Sequence, residues 1–197
     1  MSKHYFTLLI IVFSILLLAT IGMAVWTHWK SSDDPLTGSN LVGGPFTLID
    51  HNGLEVTERS YPGKLKIIYF GYTYCPDICP TGLSVITQAL QMLGQKAEQI
   101  KPIFVTVDPA RDDVTALASY YDHFHPSFSY LTGSLKQVSA MAKLYKVYFR
   151  KASETKDYLV DHSAITYVMS PSDRYLTHFG PHVTAEQMTA FFKTILK

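Results

Sequence analysis

Residues 65–80 read Leu-Lys-Ile-Ile-Tyr-Phe-Gly-Tyr-Thr-Tyr-Cys-Pro-Asp-Ile-Cys-Pro, an apolar run that leads directly into two cysteines. Its first half, Leu65 to Tyr72, is too apolar for a strand with one wet face and predicts a central strand covered on both sides. Apolar residues then recur at helical spacing, at Leu83, Ile86, Leu90 and Leu93. The cysteines are therefore predicted at a strand-to-helix turn, at the sheet edge where open α/β folds bind ligands.

The elements on either side of this unit predict an α/β fold. Asn52-Gly53 between two short alternating runs predicts a hairpin at the start of the domain. The remaining predicted elements are a strand over Ile103–Val107, a helix after Asp112-Asp113 that carries Leu117, Tyr120, Tyr121 and Phe124, a strand over Phe128–Leu131, a helix from the capping pair Ser134 and Gln137, strands over Ala164–Met169 and Tyr175–Phe179, and a helix from the capping pair Thr184 and Gln187. The order is that of a thioredoxin-like sheet with an N-terminal β-hairpin addition.

The N-terminal segment predicts one transmembrane helix before this domain. Between Lys3 and Lys30 the sequence has no Asp, Glu, Lys or Arg, and Phe6–Trp26 is almost wholly apolar. At about 1.5 Å per residue such a helix crosses a hydrocarbon core of about 30 Å. The alternative is a signal peptide cleaved near Gly22-Met23-Ala24, but the run exceeds the roughly 7 to 15 apolar residues of such peptides. We expect an uncleaved anchor over 1–30, a polar linker over 31–43 and the folded domain over 44–197.

Composition excludes several classes of protein. The chain has 17 Lys+Arg against 16 Asp+Glu and a net charge of +1, so it lacks the positive field that attracts nucleic acid. Eleven Phe and thirteen Tyr supply a core, which excludes a disordered chain. Two cysteines are too few for a disulfide-stabilised secreted scaffold.

The two cysteines, Cys75 and Cys79, carry the chemistry. If the second lies in or near the first helical turn, their Cβ atoms are about 5 to 6 Å apart on one side of the helix. At that separation two thiolates can share a metal ion, and a disulfide is also possible. The helix N-terminus favours thiolate over thiol, and two soft thiolates suit Cu(I) or Zn(II).

Among eight histidines, His162 is the best candidate for a further ligand. It stands just before a predicted core strand, where a thioredoxin-like fold brings a loop against the cysteine turn. His178 and His182 are four residues apart and form a weaker candidate for a second metal site, because Gly180-Pro181 between them breaks any helix. The other five are interpreted as ordinary turn or surface residues.

Four motifs in this order resemble the Sco/SenC family of membrane-anchored copper proteins: Gly71-Tyr-Thr-Tyr-Cys-Pro-Asp-Ile-Cys-Pro80, Val107-Asp-Pro-Ala-Arg-Asp112, Leu131-Thr-Gly133 and Val160-Asp-His-Ser163. The similarity extends from about Gly44 to the C-terminus. It implies a thioredoxin-like domain that binds copper, as Cu(I) and/or Cu(II), through Cys75, Cys79 and His162. It further implies a role in assembling the binuclear copper centre of cytochrome c oxidase. Asp108 matches the family's Asp at the mouth of the second central strand, where it either tunes the copper site or simply turns the chain.

The resemblance also implies partners and a location. A copper chaperone of this kind is not an enzyme. Its partners are cytochrome c oxidase subunit II, a thiol reductase that keeps the cysteines reduced, another copper chaperone as donor, and the membrane. The expected location is the inner (cytoplasmic) membrane, single-pass, with the C-terminal domain in the periplasm or an equivalent extracytoplasmic space.

Other functions use the same cysteines. The leading alternative is an extracytoplasmic thiol:disulfide oxidoreductase that keeps partner cysteines reduced. Such enzymes usually have C-x-x-C and a cis-proline opposite it, whereas this chain has C-x-x-x-C and no proline between Pro126 and Pro171. A thiol peroxidase would need Thr where Tyr72 stands. A copper or redox sensor has no sequence feature that separates it from a delivery protein.

Overall fold

The computed structural model describes residues 3–32 and 38–196 and divides the chain into two units. The first contains one helix, α1 (Lys3–Ser32). Among the described residues, no helix has the length and apolarity that a bilayer span requires. The transmembrane helix therefore stays a prediction, and residues 33–37 of the predicted linker lie outside the described part of the chain.

The second unit begins at Gly38 and is built on a mixed β-sheet. Its elements are β1 (Thr47–Asp50), β2 (Glu55–Thr57), β3 (Leu65–Gly71), α2 (Ile78–Leu93), β4 (Ile100–Thr106), α3 (Val114–Tyr121), β5 (Ser129–Thr132), α4 (Leu135–Leu144), β6 (Phe149–Lys151), β7 (Val160–His162), β8 (Thr166–Met169), β9 (Tyr175–Phe179) and α5 (Ala185–Ile195), with a 3-10 turn over Gly94–Gln99. The main sheet has the order β2-β1-β5-β4-β3-β8-β9, in which β3, β4 and β5 are parallel. This arrangement confirms the predicted α/β class and the N-terminal hairpin β1–β2.

The central strand β3 fixes where the cysteines lie. All seven of its residues are buried, as its apolar sequence predicts. Lys66 is buried with them because its ammonium forms an ion pair with Asp173 in the turn between β8 and β9. The helix α2 follows β3 after six residues and packs against α5. The cysteine turn is thus anchored on one side by a buried strand and on the other by a packed helix.

The strand β4 begins at Ile100, three residues earlier than predicted, and contains Pro102. Proline interrupts strands because it has no amide proton to donate. Here β4 pairs with β3 from Ile100, whereas its pairing with β5 begins only at Ile103. The first residues of β4 therefore have one open side, where proline is tolerated.

The hairpin of β6 and β7 forms a separate two-stranded sheet that the sequence analysis missed. Its strands have three residues each and expose Arg150 and Lys151, so they show neither the length nor the alternation of a typical strand. As a result His162 is the last residue of a strand, paired with Phe149, and not part of a loop as predicted.

The helices α3, α4 and α5 begin directly after their capping residues. Both predicted capping boxes form, at Ser134 with Gln137 and at Thr184 with Gln187. The cap of α3 is Asp113, whose carboxylate accepts a hydrogen bond from the Ala116 amide. Phe124 lies beyond the end of α3 at Tyr121, so the prediction that this helix carries it was wrong.

Removing the Ser134 cap should destabilise the domain. Ser134→Ala leaves the Gln137 amide without its hydroxyl acceptor, and we expect the free energy of unfolding to fall by about 1 kcal/mol. Urea denaturation measures this loss. Ser153→Ala, in an exposed loop where the hydroxyl contacts only Thr155, is the matched control and should change the free energy by less than about 0.5 kcal/mol. Equal losses in both variants would contradict the assignment of the cap.

Candidate metal centre

The two cysteines lie at the carboxyl end of β3, as predicted. The Cys75 amide donates to the Tyr72 carbonyl oxygen at 3.2 Å, which closes the turn after the strand. Cys79 is the second residue of α2, and its amide donates to Cys75 Sγ at 3.4 Å. Both are free thiols and both are buried, with Cys79 fully shielded from solvent. The helix start therefore supplies a backbone donor to the first sulfur.

The hairpin β6–β7 brings His162 to the second cysteine. His162 Nε2 lies 3.4 Å from Cys79 Sγ, and His162 Nδ1 lies 3.1 Å from the Val160 carbonyl oxygen. A carbonyl oxygen can only accept, so Nδ1 carries the proton and donates it to Val160. In the neutral ring the Nε2 lone pair is left facing the sulfur. The histidine is thus in the tautomer that can bind a metal ion through Nε2.

The structure places Cys79 Sγ against His162 Nε2, and Cys75 Sγ accepts a hydrogen bond from the amide of Cys79. Within residues 3–32 and 38–196, however, no group of three or more His, Cys, Asp and Glu side chains is gathered closely enough to hold a metal ion. His178 instead contacts the Tyr175 hydroxyl through Nδ1 at 2.5 Å and is exposed, as is His182. The second site considered for this pair is therefore not assembled in the described residues.

The two thiols differ strongly in acidity. The Cys79 side chain donates to Cys75, and this hydrogen bond, against the opposing effect of burial, lowers the pKa of Cys75 to about 5. The same hydrogen bond and burial raise the pKa of the Cys79 thiol. Cys75 is consequently a thiolate at neutral pH, whereas Cys79 keeps its proton. The Cys79 sulfur also lies 3.4 Å from His162 Nε2, which is a second group able to accept its proton.

Gly71, the last residue of β3, leaves the space that Cys79 occupies. A Cβ atom at Gly71 would lie 2.7 Å from Cys79 Sγ and 2.9 Å from the Phe104 ring. Both distances are below van der Waals contact, so any larger residue would displace the sulfur. A glycine at the end of a buried strand is a recognisable sign of such a close approach, although the sequence analysis did not use it.

Asp108, Arg111 and Tyr158 form a cluster at the start of the segment that leads to His162. The Tyr158 hydroxyl donates to Asp108 Oδ1 at 2.7 Å, and Arg111 Nε donates to Asp108 Oδ2. The Arg111 guanidinium lies 3.7 Å from the centre of the Tyr158 ring. Two residues further on, the Val160 amide donates to the Tyr72 hydroxyl at 3.2 Å. Asp108 thus connects the end of β4 to the segment that enters β7, and sequence reasoning missed its contact with Tyr158.

The acidity of Cys75 can be measured directly. In the reduced protein we expect alkylation of Cys75 by iodoacetamide to rise with an inflection at about pH 5, because the thiolate is the reacting species. Cys79→Ser weakens the main hydrogen bond and should move the inflection upward. Cys79, followed in Cys75→Ser as the control, should react only at alkaline pH. An inflection for Cys75 near the ordinary thiol pKa of about 8.5 would contradict this electrostatic account.

Comparisons with known proteins identify the family of this chain. The sequence profile of the SCO1/SenC family matches residues 34–197. A SCO2-like protein of Rickettsia prowazekii is 38% identical over 194 residues, covering 93% of this chain and 95% of that protein.

Two solved structures are similar over most of the chain. The Bradyrhizobium japonicum ScoI structure with copper bound is 38% identical with a TM-score of 0.73, and the match covers 79% of this chain and 99% of that one. Arabidopsis thaliana ScoI with copper bound is 39% identical with a TM-score of 0.74, over 78% and 98% of the two chains. From its sequence motifs, its fold and these matches, the chain belongs to the SCO1/SenC family.

Proposed function

We propose that this chain binds copper through Cys75, Cys79 and His162 and passes it on as cargo during assembly of the binuclear copper centre of cytochrome c oxidase. The observation that carries the proposal is the contact of His162 Nε2 with Cys79 Sγ at 3.4 Å, beside a Cys75 sulfur that is already ionised at neutral pH. Two relatives at 38–39% identity have structures with copper bound. Sco proteins are described as a family of cytochrome c oxidase assembly proteins.

The donor set suits copper in both of its common oxidation states. Two thiolates are soft ligands that favour Cu(I), while an imidazole also suits Cu(II). A copper ion that replaces the Cys79 thiol proton would meet the Cys75 sulfur, which accepts that proton in the apo site, and His162 Nε2, which lies 3.4 Å from Cys79 Sγ. Binding should therefore release a proton from Cys79, since the thiolate is the ligating form.

The elements that hold the three ligands favour release of the metal. Both cysteines are fixed by β3 and α2, whereas His162 is on a two-stranded sheet outside the main sheet. Loss of the imidazole contact would leave the core intact. The His162 ring is only half-buried, and Tyr74, which precedes Cys75, is 62% exposed, so an acceptor can approach this side of the molecule.

The same proposal includes location and partners. Phe6–Trp26 would anchor the chain in the inner (cytoplasmic) membrane, with the C-terminal domain in the periplasm or an equivalent space; its support is a segment without charged residues. Cytochrome c oxidase subunit II would be the acceptor and another copper chaperone the donor. A thiol reductase would be needed as well, because a Cys75–Cys79 disulfide offers no thiolate to copper.

A second candidate, thiol:disulfide exchange, is favoured by one observation. A thiolate at Cys75 beside a protonated Cys79 is the pairing that attacks a disulfide and then resolves the mixed intermediate. An oxidoreductase of this kind would use both cysteines without needing His162, which separates the two candidates.

Replacing His162 tests the copper proposal. His162→Ala removes the imidazole and leaves both sulfur atoms and their helix in place. We expect the affinity for Cu(II) to fall by more than the roughly 10 to 100-fold typical of a group that only supports a ligand. Cu(I) should be affected less, because two thiolates remain. Competition titrations with a chromophoric chelator measure both affinities on the reduced protein.

The matched control is His178→Ala, which removes an exposed histidine on β9. Both copper affinities should remain within about threefold of wild type, below the 10-fold effect expected for a group near the metal. Wild-type affinity for both copper ions in His162→Ala would reject the proposed ligand set, and a Cys75–Cys79 reduction potential that this variant leaves unchanged would then favour the oxidoreductase.

A further inference from the structure

One buried residue, Asp112, accepts hydrogen bonds from residues at or just after the ends of the three parallel strands. Its Oδ2 accepts hydrogen bonds from the Thr73 amide at 3.0 Å and from the Thr106 hydroxyl at 2.6 Å, and its Oδ1 accepts from the Thr73 hydroxyl at 2.5 Å. Its carbonyl oxygen accepts from the Thr132 hydroxyl at 2.6 Å. Thr106 ends β4, Thr132 ends β5, and Thr73 follows β3 by two residues.

Burying the Asp112 carboxylate costs free energy that a simple turn would not require. Asp112 has 0% of its surface exposed, and burial raises its pKa above the ordinary value, against the effect of the threonine hydrogen bonds. Its neighbour Arg111 forms its ion pair with Asp108 instead. Nor is Asp112 needed to begin α3, because Asp113 already caps that helix. A buried carboxylate held by hydroxyl and amide donors therefore calls for another role.

The contacts of Asp112 lead to both parts of the metal centre. Thr73 is two residues before Cys75, and the Tyr72 carbonyl beside it accepts from the Cys75 amide. Holding Thr73 consequently holds the Cys75 sulfur against the Cys79 amide.

On the other side, the Thr106 hydroxyl accepts from the Asp108 amide at 2.9 Å. Asp108 in turn binds Tyr158, in the segment that enters β7 and ends at His162. The same network therefore reaches the strand of the histidine.

We propose that Asp112 is the positioning residue of this centre: it fixes the turn 72–77, so that the Cys75 sulfur stays in place relative to Cys79. It acts through Thr73 and not through a direct hydrogen bond to either cysteine. The part of this inference that concerns copper binding rests on the proposed function. The part that concerns the geometry of the two thiols does not.

The test compares two neighbouring aspartates in the full-length chain, purified in a mild detergent. Asp112→Ala removes the contact with Thr73, whereas the control Asp113→Ala removes only the cap of α3. The first readout uses metal-free protein in glutathione buffers and measures the equilibrium between the Cys75–Cys79 dithiol and its disulfide. The second readout is the affinity of the reduced protein for Cu(I).

We expect Asp112→Ala to shift the thiol equilibrium toward the disulfide by about tenfold, and to weaken Cu(I) binding by about 10 to 100-fold, as for other groups that orient ligands. The freed turn no longer holds the Cys75 sulfur in its reduced position. In Asp113→Ala, the thiol equilibrium and the Cu(I) affinity should both stay within about threefold of wild type, although the loss of the helix cap lowers the free energy of unfolding.

Asp112→Asn, which keeps the shape and one acceptor oxygen, is measured alongside. It should shift both equilibria in the same direction by less, and it supplies a folded variant if Asp112→Ala does not fold. Wild-type values in the folded Asp112 variants, a shift toward the dithiol, or equal effects in Asp113→Ala would overturn the inference. A shifted thiol equilibrium in a chain whose wild type binds no copper would support the positioning role and reject the copper proposal.

Discussion

The position of the Cys79 sulfur is the constraint on which the site formed by Cys75, Cys79 and His162 depends. The sulfur lies so close to the end of β3 that a Cβ atom at Gly71 would be only 2.7 Å away. From there it contacts His162 Nε2 on one side and donates its proton toward Cys75 on the other. A strand buried on both faces and a helix packed against α5 hold it there, so the geometry of the centre follows from the packing of the core.

The charge distribution follows from this position. The hydrogen bond to Cys75 and burial keep the proton on Cys79, and the same hydrogen bond keeps Cys75 ionised. The pair therefore carries one negative charge and one exchangeable proton. His162 is oriented by the Val160 carbonyl so that its free nitrogen faces the Cys79 sulfur. A monovalent cation with an affinity for sulfur and nitrogen can therefore replace this proton and leave the net charge of the site unchanged.

The sequence predicted the parts of this arrangement that depend on neighbouring residues. The apolar run of β3, the helical spacing of α2 and the two capping boxes are local patterns, and the structure confirms them. The hairpin that carries His162 was missed because its short, charged strands have no pattern of their own. The contacts of Asp112 with Thr73 and of Asp108 with Tyr158 span 39 and 50 residues, and chain spacing alone does not reveal such distant partners.

The most direct measurement of the central claim is X-ray absorption at the copper edge of the reduced, Cu(I)-loaded chain and of its Cys79→Ser variant. The account predicts two sulfur scatterers and one imidazole nitrogen in the wild type, and the loss of one sulfur scatterer in Cys79→Ser. A copper ion surrounded only by nitrogen and oxygen atoms in the wild type, or a spectrum that Cys79→Ser leaves unchanged, would contradict it.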